Sequence, residues 1–243
     1  MRAVLVADRA DRDLGLLGDY LRNAHATTHF LEREWMTSDT VPADVVVLLG
    51  SNRSAHDPRH SEIVATETSF IRRTLADGVP VIGICYGAQV LARALGGSSY
   101  RGAVPECGWT QVYSNNEELC PSGRWGQMHH DVIQPAETSE VIGLNLVAPQ
   151  AFVDESAGAR ALGWQFHPEL TLPTFKRRLT QRYSGSEDSN PLVTLEEASH
   201  HARDAGPRAA ALFRAAFRYL GVDTHEPQRS GPPTEAVCIL GYN

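Results

Sequence analysis

The residue best suited to nucleophilic chemistry is Cys85, set between glycines in Val81-Ile82-Gly83-Ile84-Cys85-Tyr86-Gly87-Ala88-Gln89. An apolar run ends at Ile84, and Val90, Leu91 and Leu95 then recur at helical spacing before Gly96-Gly97. This spacing predicts a buried strand from Pro80 to Ile84, a sharp turn at the cysteine, and a helix behind it. Small residues at 83 and 87 leave room for a strained backbone, and a helix N-terminus behind the sulfur favours thiolate. On the turn alone, a buried core cysteine fits as well as a displayed nucleophile, because unreactive cysteines are among the most buried residues.

A thiol that attacks an amide needs a base, and the base needs a group that fixes its tautomer. Phe166-His167-Pro168-Glu169 offers both, at the end of a second apolar stretch. The His167 imidazole can take the thiol proton and return it to a departing amine, with Glu169 as orienter. Pro168 fixes its own φ and turns His167 away from helical conformation, so both side chains can emerge from one irregular turn. A purely structural histidine–carboxylate pair has the same local sequence.

Together the Cys85 and His167 segments resemble the class I (triad-type) glutamine amidotransferase family. Gly83 to Gln89 matches that family's nucleophile turn, and Phe166 to Glu169 matches its base. Three further stretches are similar to its GMP-synthetase-like branch: Ala94-Leu95-Gly96-Gly97, Glu106-Cys107-Gly108-Trp109, and His129-His130-Asp131, where the family often has His-Gly-Asp. The resemblance covers about residues 1 to 182. It implies an α/β fold with a doubly wound, mostly parallel, flavodoxin-like sheet. It also implies a Cys85, His167, Glu169 triad that releases ammonia from the side-chain amide of glutamine through a γ-glutamyl thioester, with a γ-glutamyl amide as the alternative substrate, from which the amine would leave.

Amide hydrolysis needs donors for the oxyanion of the tetrahedral intermediate. The amide after the nucleophile, that of Tyr86, is one candidate, and the resemblance puts the other in Gly50-Ser51-Asn52. Relatives usually carry Gly-Gly-Pro there. If the middle position requires positive φ, Ser51 is strained, although a backbone donor remains available; an ordinary turn is the alternative for this tripeptide. Gln89, one helical turn beyond Cys85, is implied to face the pocket and bind substrate, with a capping or surface role as the alternative. His129 and Asp131 are implied at the pocket wall, and His130, in place of glycine, adds bulk and a titratable group.

The elements that must position these groups are readable in the first half of the chain. Ala3 to Ala7 and Val45 to Leu49 read as buried strands, and Leu14 to Leu21 as a helix. Ser61 can cap a helix through Ala76, with Ile63, Phe70, Ile71 and Leu75 inward and Gly78 ending it. Such alternation predicts a parallel sheet with ligands beyond the carboxyl ends of its strands, where Gly50, Cys85 and His167 fall. From Gly108 to Phe166 the chain reads as short strands, at Trp109 to Tyr113, Val141 to Val147 and Leu162 to Phe166. Beyond Glu169 come a short basic helix from Leu172 to Arg182 and an acidic loop from Ser184 to Pro191. Two helices follow, Leu192 to Asp204 and Arg208 to Leu220, parted by Gly206-Pro207. Residues 1–221 are expected to form one domain and residues 222–243 a linker and tail. Within that tail, Ala236 to Leu240 is either an added strand or a disordered end.

Composition narrows the partners. At 243 residues, with 42% hydrophobic and 21% charged, the chain reads as an ordinary soluble globular protein. Its 22 Lys and Arg against 29 Asp and Glu give a formal charge of −7, and no basic cluster supports a nucleic-acid partner. The apolar run after Met1 is too short for a signal peptide and no segment reaches transmembrane length, so no membrane partner is expected. Cys85, Cys107, Cys120 and Cys238 lack metal-ligand spacing and suggest reduced thiols in the cytoplasm. His129, His130, Asp131, His167 and Glu169 lack it too, so no metal and no cofactor are assigned. Cys107 is expected in packed core, and His200 and His201 on a solvated helix face. With no Gly-x-x-x-x-Gly-Lys, the chain shows no synthetase of its own to consume ammonia. The function is then a glutaminase supplying a separate synthase subunit, a stand-alone γ-glutamyl amide or peptide hydrolase, or a catalytically silent binding or regulatory protein of the same fold.

Overall fold

A computed structural model of the protein describes residues 1–183 and 195–222. The acidic loop and the apolar tail segment, with Cys238, lie outside the described residues. The strands are β1 (Arg2–Ala7), β2 (Thr27–Glu32), β3 (Val45–Leu48), β4 (Val81–Ile84), β5 (Ser98–Ser114), β6 (Gly123–Gln134), β7 (Glu140–Leu144), β8 (Pro149–Asp154) and β9 (Ala161–Trp164). The helices are α1 (Gly15–Asn23), α2 (Ser61–Ala76), α3 (Tyr86–Ala94), α4 (Leu172–Tyr183) and α5 (Leu195–Tyr219).

All nine strands join one sheet in the order β2-β1-β3-β4-β9-β8-β7-β5-β6. The pairings from β2 to β9 are parallel, and those from β9 to β6 antiparallel. The expected mostly parallel sheet is therefore corrected to a mixed one, with four pairings of each kind. Long connections, several through helices, feed the parallel half, whereas the short turns after β5, β7 and β8 leave only antiparallel return.

Burial on both faces explains why β3 and β4, and β1 after Arg2, carry no polar side chain. Ala3, Leu5, Ala7, Val45, Val47, Ile82 and Ile84 pack into a core shared with α1 and α5. Val4, Val6, Val46, Leu48 and Val81 point the other way, onto α2 and α3. Successive strand residues face opposite sides, and here both sides are covered.

Local expectations fail where tertiary packing or a neighbouring turn wins. Ser61 is the first residue of α2 rather than its cap. The chain enters through a 3-10 turn, Pro58–His60, and Asp57 accepts the Arg59 amide (2.9 Å) to start that turn. Gly78, at φ 80°, ends α2 as expected. Pro207 lies inside a single α5 instead of parting two helices. An interior proline costs roughly 3 kcal/mol, but each large apolar side chain buried is worth about 1.5–3 kcal/mol. Leu212, Phe213, Phe217 and Leu220 are all buried, so packing outweighs the break. The strand expected to run to Val147 stops at Leu144, because the Asn145 side chain accepts the Val147 and Ala148 amides (2.9 and 3.0 Å) and closes a turn. Cys107 is half-buried against the cluster of Trp109, Met128 and Phe175; His200 is exposed and His201 half-buried.

Candidate active site

Every parallel strand ends at one edge of the sheet and delivers a polar segment there. Asp8 follows β1, Arg33 follows β2, Gly50-Ser51-Asn52 follows β3, Cys85 follows β4, and His167 comes shortly after β9. Register pairs Leu48 with Gly83 and Ile84 with Trp164, so the loops carrying Gly50, Cys85 and His167 are neighbours.

Cys85 has φ 54° and ψ −113°, a backbone conformation that non-glycine residues rarely adopt. Its amide donates to the Trp164 carbonyl (2.7 Å) and its carbonyl accepts the Gln89 amide (3.1 Å), which ties the turn to β9 and to the first turn of α3. Both flanking glycines are required. A Cβ at Gly83 would lie 2.6 Å from the Gly87 carbonyl oxygen, and one at Gly87 would lie 2.1 Å from that of Leu48. Although only 4% exposed, Cys85 lines two cavities rather than solid core.

His167 Nδ1 donates to Glu169 Oε1 (2.6 Å), and its Nε2 has no hydrogen-bond partner among the described residues. Gly50 leaves room for the imidazole and the cysteine side chain: a Cβ there would meet His167 Cε1 at 3.1 Å and Cys85 Cβ at 3.7 Å. Burial works against a charged His167, but the Glu169 carboxylate, followed by Cys85, outweighs it and raises the imidazolium above its ordinary range. Burial likewise works against the Glu169 carboxylate, yet His167 and then Arg178 hold it below the usual range. The pair is anchored from behind. Leu16 donates its amide to the Glu169 carbonyl (2.9 Å), and Arg178, 3.5 Å from Glu169 Oε1, is itself held by Asp11 (2.9 Å).

Two cavities flank the sulfur. One of about 30 Å³ is bounded by His167, Gly50 and Arg178; the other, of about 100 Å³, by Tyr86, Gln89, Arg101, His129, His130 and Asp131. Ser51 and Cys85 line both. A larger cavity of about 570 Å³, against Glu118, Glu140 and Arg218, contains none of these residues.

Ser51 is free of the anticipated strain. Among the described residues only His25 and Cys85 combine a side chain with positive φ. Ser51 is held instead through its hydroxyl, which donates to Asp8 Oδ2 (2.7 Å) and accepts the Arg53 amide (3.1 Å). Gln89 is buried, which removes the surface alternative, and its Nε2 donates to the Asp131 carbonyl (3.0 Å), pinning α3 to β6. His129 and Asp131 stand in the wall of the cavity of about 100 Å³. His129 Nε2 is 3.0 Å from Gln127 Oε1, and Asp131 Oδ2 is 3.1 Å from His56 Nδ1. His130 Nδ1 lies 2.8 Å from Arg101 Nη2 at the rim. Among the described residues no group of three or more His, Cys, Asp or Glu could hold a metal ion, and no helix is long and apolar enough to cross a membrane.

Sequence reasoning missed Asp8, Arg33, Glu67 and Arg178. Asp8 had a usable signal, since it follows an apolar strand at the edge where ligands bind. Arg33 had none, because β2 is exposed and reads Thr-Thr-His-Phe-Leu-Glu.

Fold and site together define a class, and the match to a known family agrees. The model of the class-I glutamine amidotransferase family matches residues 15–183, and the chain belongs to that family. It is similar to curated GMP synthases described as glutamine-hydrolyzing. The protein from Aeropyrum pernix is 31% identical over 144 residues, 57% of this chain and 26% of that protein. The one from Clostridium kluyveri is 35% identical over 112 residues, 44% of this chain and 22% of that protein. The chain thus spans 26% and 22% of the length of these two relatives. Among solved structures, a glutamine amidotransferase from Thermotoga maritima superposes with a TM-score of 0.76 at 24% identity, covering 90% of this chain and 97% of that one. A glutamine amido transferase from Methylobacillus flagellatus gives 0.72 at 20% identity, covering 92% and 96%. These two likenesses establish the fold.

Proposed function

We propose that this chain hydrolyses the side-chain amide of glutamine and passes the ammonia to a separate synthase. The observation that carries the proposal is the strained Cys85 turn, set between a hydrogen-bonded His167–Glu169 pair and a cavity of about 30 Å³. In the proposed cycle the Cys85 thiolate attacks the γ-carboxamide carbon, and the developing oxyanion is held by the Tyr86 amide and an amide of the Gly50-Ser51-Asn52 loop. As the C–N bond breaks, the His167 imidazolium protonates the nitrogen and ammonia leaves. Neutral His167 then takes a proton from water, hydroxide adds to the γ-glutamyl thioester, and the C–S bond breaks to give glutamate and the resting thiolate–imidazolium pair.

Cavity size supports ammonia over a larger amine. The departing nitrogen must lie within reach of His167, which lines the smaller cavity. That cavity is the smaller of the two beside the sulfur, about 30 Å³ against about 100 Å³. The larger cavity, with Gln89, Arg101, His129 and Asp131, suits the amino-acid end of the substrate, and Arg101 has no carboxylate partner among the described residues. The Ser51 contacts support a competent site over a silent binding protein. The parallel order β2-β1-β3-β4-β9 supports reading that half as flavodoxin-like, and α5, packed into the same core as α1, supports residues 1–221 as one domain. Because the nucleophile must be a reduced thiol, the reaction belongs in a reducing compartment such as the cytoplasm.

The test is to incubate purified protein with glutamine and with γ-glutamyl amides of increasing amine size, measuring glutamate and free amine, with Cys85→Ala as control. Glutamine turnover that falls steeply with amine size is expected. Faster turnover of a bulky γ-glutamyl amide would point to a stand-alone hydrolase instead.

A further inference from the structure

We propose that Arg33 is a positioning residue for the oxyanion site: one buried guanidinium that ties together the two loops whose amides would hold the oxyanion. This inference rests on the glutaminase reading above. Arg33 is 1% exposed and lines neither cavity beside Cys85. Each arm of its guanidinium has a different partner. Nε donates to Glu67 Oε1 (2.6 Å), Nη1 to Asp8 Oδ1 (2.5 Å) and Nη2 to the Leu49 carbonyl (3.0 Å).

Both carboxylates relay the contact onward. The second oxygen of Glu67 accepts the Tyr86 hydroxyl (2.6 Å), and the second oxygen of Asp8 accepts the Ser51 hydroxyl (2.7 Å). Tyr86 carries the amide that follows the nucleophile, and Ser51 belongs to the facing loop, which begins just after Leu49. The guanidinium also sits over the Tyr86 ring, 4.8 Å from its centroid. Arg33 therefore bridges the residues on each side of the developing charge, and on the Asp8 side it is joined by Arg53, whose Nη1 donates to the same Asp8 Oδ1 (2.6 Å). Oxyanion donors work only when they are preorganised, because donors that must reorient during the reaction lose most of their advantage. A loop with Gly-Ser-Asn in place of Gly-Gly-Pro gains that order through the Ser51 side chain rather than through its backbone. Arginine suits the position, since a lysine ammonium could not hold three directions in one plane.

A merely structural ion pair would stabilise the fold without touching the chemistry, so the test must separate the two. Because loss of Arg33 strands two buried carboxylates and could unfold the protein, the outer contacts are removed instead. Ser51→Ala, Tyr86→Phe and the double variant would be assayed for glutamine kcat and KM, thermal melting, and alkylation of Cys85 by iodoacetamide, a reaction that forms no oxyanion. Each single change is expected to lower kcat roughly tenfold with little change in KM, less than the roughly 10²–10³-fold loss that follows outright removal of an oxyanion donor. The double variant should fall near the worse single variant rather than at their product, because both act through one hub. Iodoacetamide rates should stay within about twofold of wild type. Lower melting temperatures with unchanged kcat, or losses in kcat that simply multiply, would overturn the inference while leaving the glutaminase reading intact. Wild-type protein that neither hydrolyses glutamine nor acquires a γ-glutamyl group would overturn that reading and this inference with it.

Discussion

The parallel and antiparallel halves of the sheet divide the work differently. In the parallel half, strands that are buried on both faces, apart from the exposed edge strand β2, end at one edge and deliver Asp8, Arg33, Ser51, Cys85 and His167 to it. In the antiparallel half, the long β5–β6 hairpin is partly exposed and changes register between Arg101 and Glu106. That hairpin supplies Arg101, His129, His130 and Asp131, the wall of the larger cavity. Mostly buried strands lead to the groups that would make and break bonds, and a partly exposed hairpin lines the space proposed for the rest of the substrate. Changes at the parallel edge should therefore lower kcat, and changes on the hairpin should raise KM.

The largest effect should come from the nucleophile. Cys85→Ala is expected to reduce glutamine hydrolysis by at least about a thousandfold while leaving the melting temperature close to wild type, measured by ammonia release and calorimetry.

Glu169→Gln should come next, with kcat down roughly a hundredfold and a shifted pH profile. Among the causes that raise the His167 imidazolium against burial, the Glu169 carboxylate is the largest, so its loss should move the alkaline limb of the kcat profile to lower pH. Stability follows the same charges. The raised His167 stabilises the fold fully below its unfolded value of about 6.5 and loses that contribution as pH rises through the folded value. The depressed Glu169 contributes above its unfolded value of about 4.3 and loses it as pH falls. The melting difference between wild type and Glu169→Gln should thus be greatest between roughly pH 4.3 and 6.5 and narrow on either side.

On the hairpin, Arg101→Ala should raise the KM for glutamine roughly five- to tenfold and leave kcat within about twofold, a loss of binding shared by ground state and transition state. A tenfold fall in kcat from this change would erase the distinction between the halves. The smallest effect is expected at Leu146, 97% exposed beyond β7: Leu146→Ser should change stability by less than about 0.5 kcal/mol and activity not at all.

The same division governed what could be read before the structure. β1, β3 and β4 are continuous apolar runs because both faces are covered, and Cys85, His167 and Glu169 carry local signatures beside them. β2 is an exposed edge strand without such a run, so Arg33, which depends on it, left no trace in the sequence. The hairpin hides its pairing in mixed burial, and β6 was missed even though His129 and Asp131 were singled out within it. Ser51 looked like a defect when its backbone alone was considered. Its side chain is held by Asp8, 43 positions away in sequence, which no local pattern connects to it. Pro207 misled for the opposite reason, because a strong local signal was overridden by packing along α5.

The most direct test is intact-mass analysis after rapid acid quench of protein mixed with glutamine. Hydrolysis through Cys85 requires a γ-glutamyl adduct that maps to Cys85, forms as ammonia is released and is absent in Cys85→Ala. Glutamine turnover that persists in Cys85→Ala, or an adduct that maps to Cys107 or Cys120 instead, would contradict it.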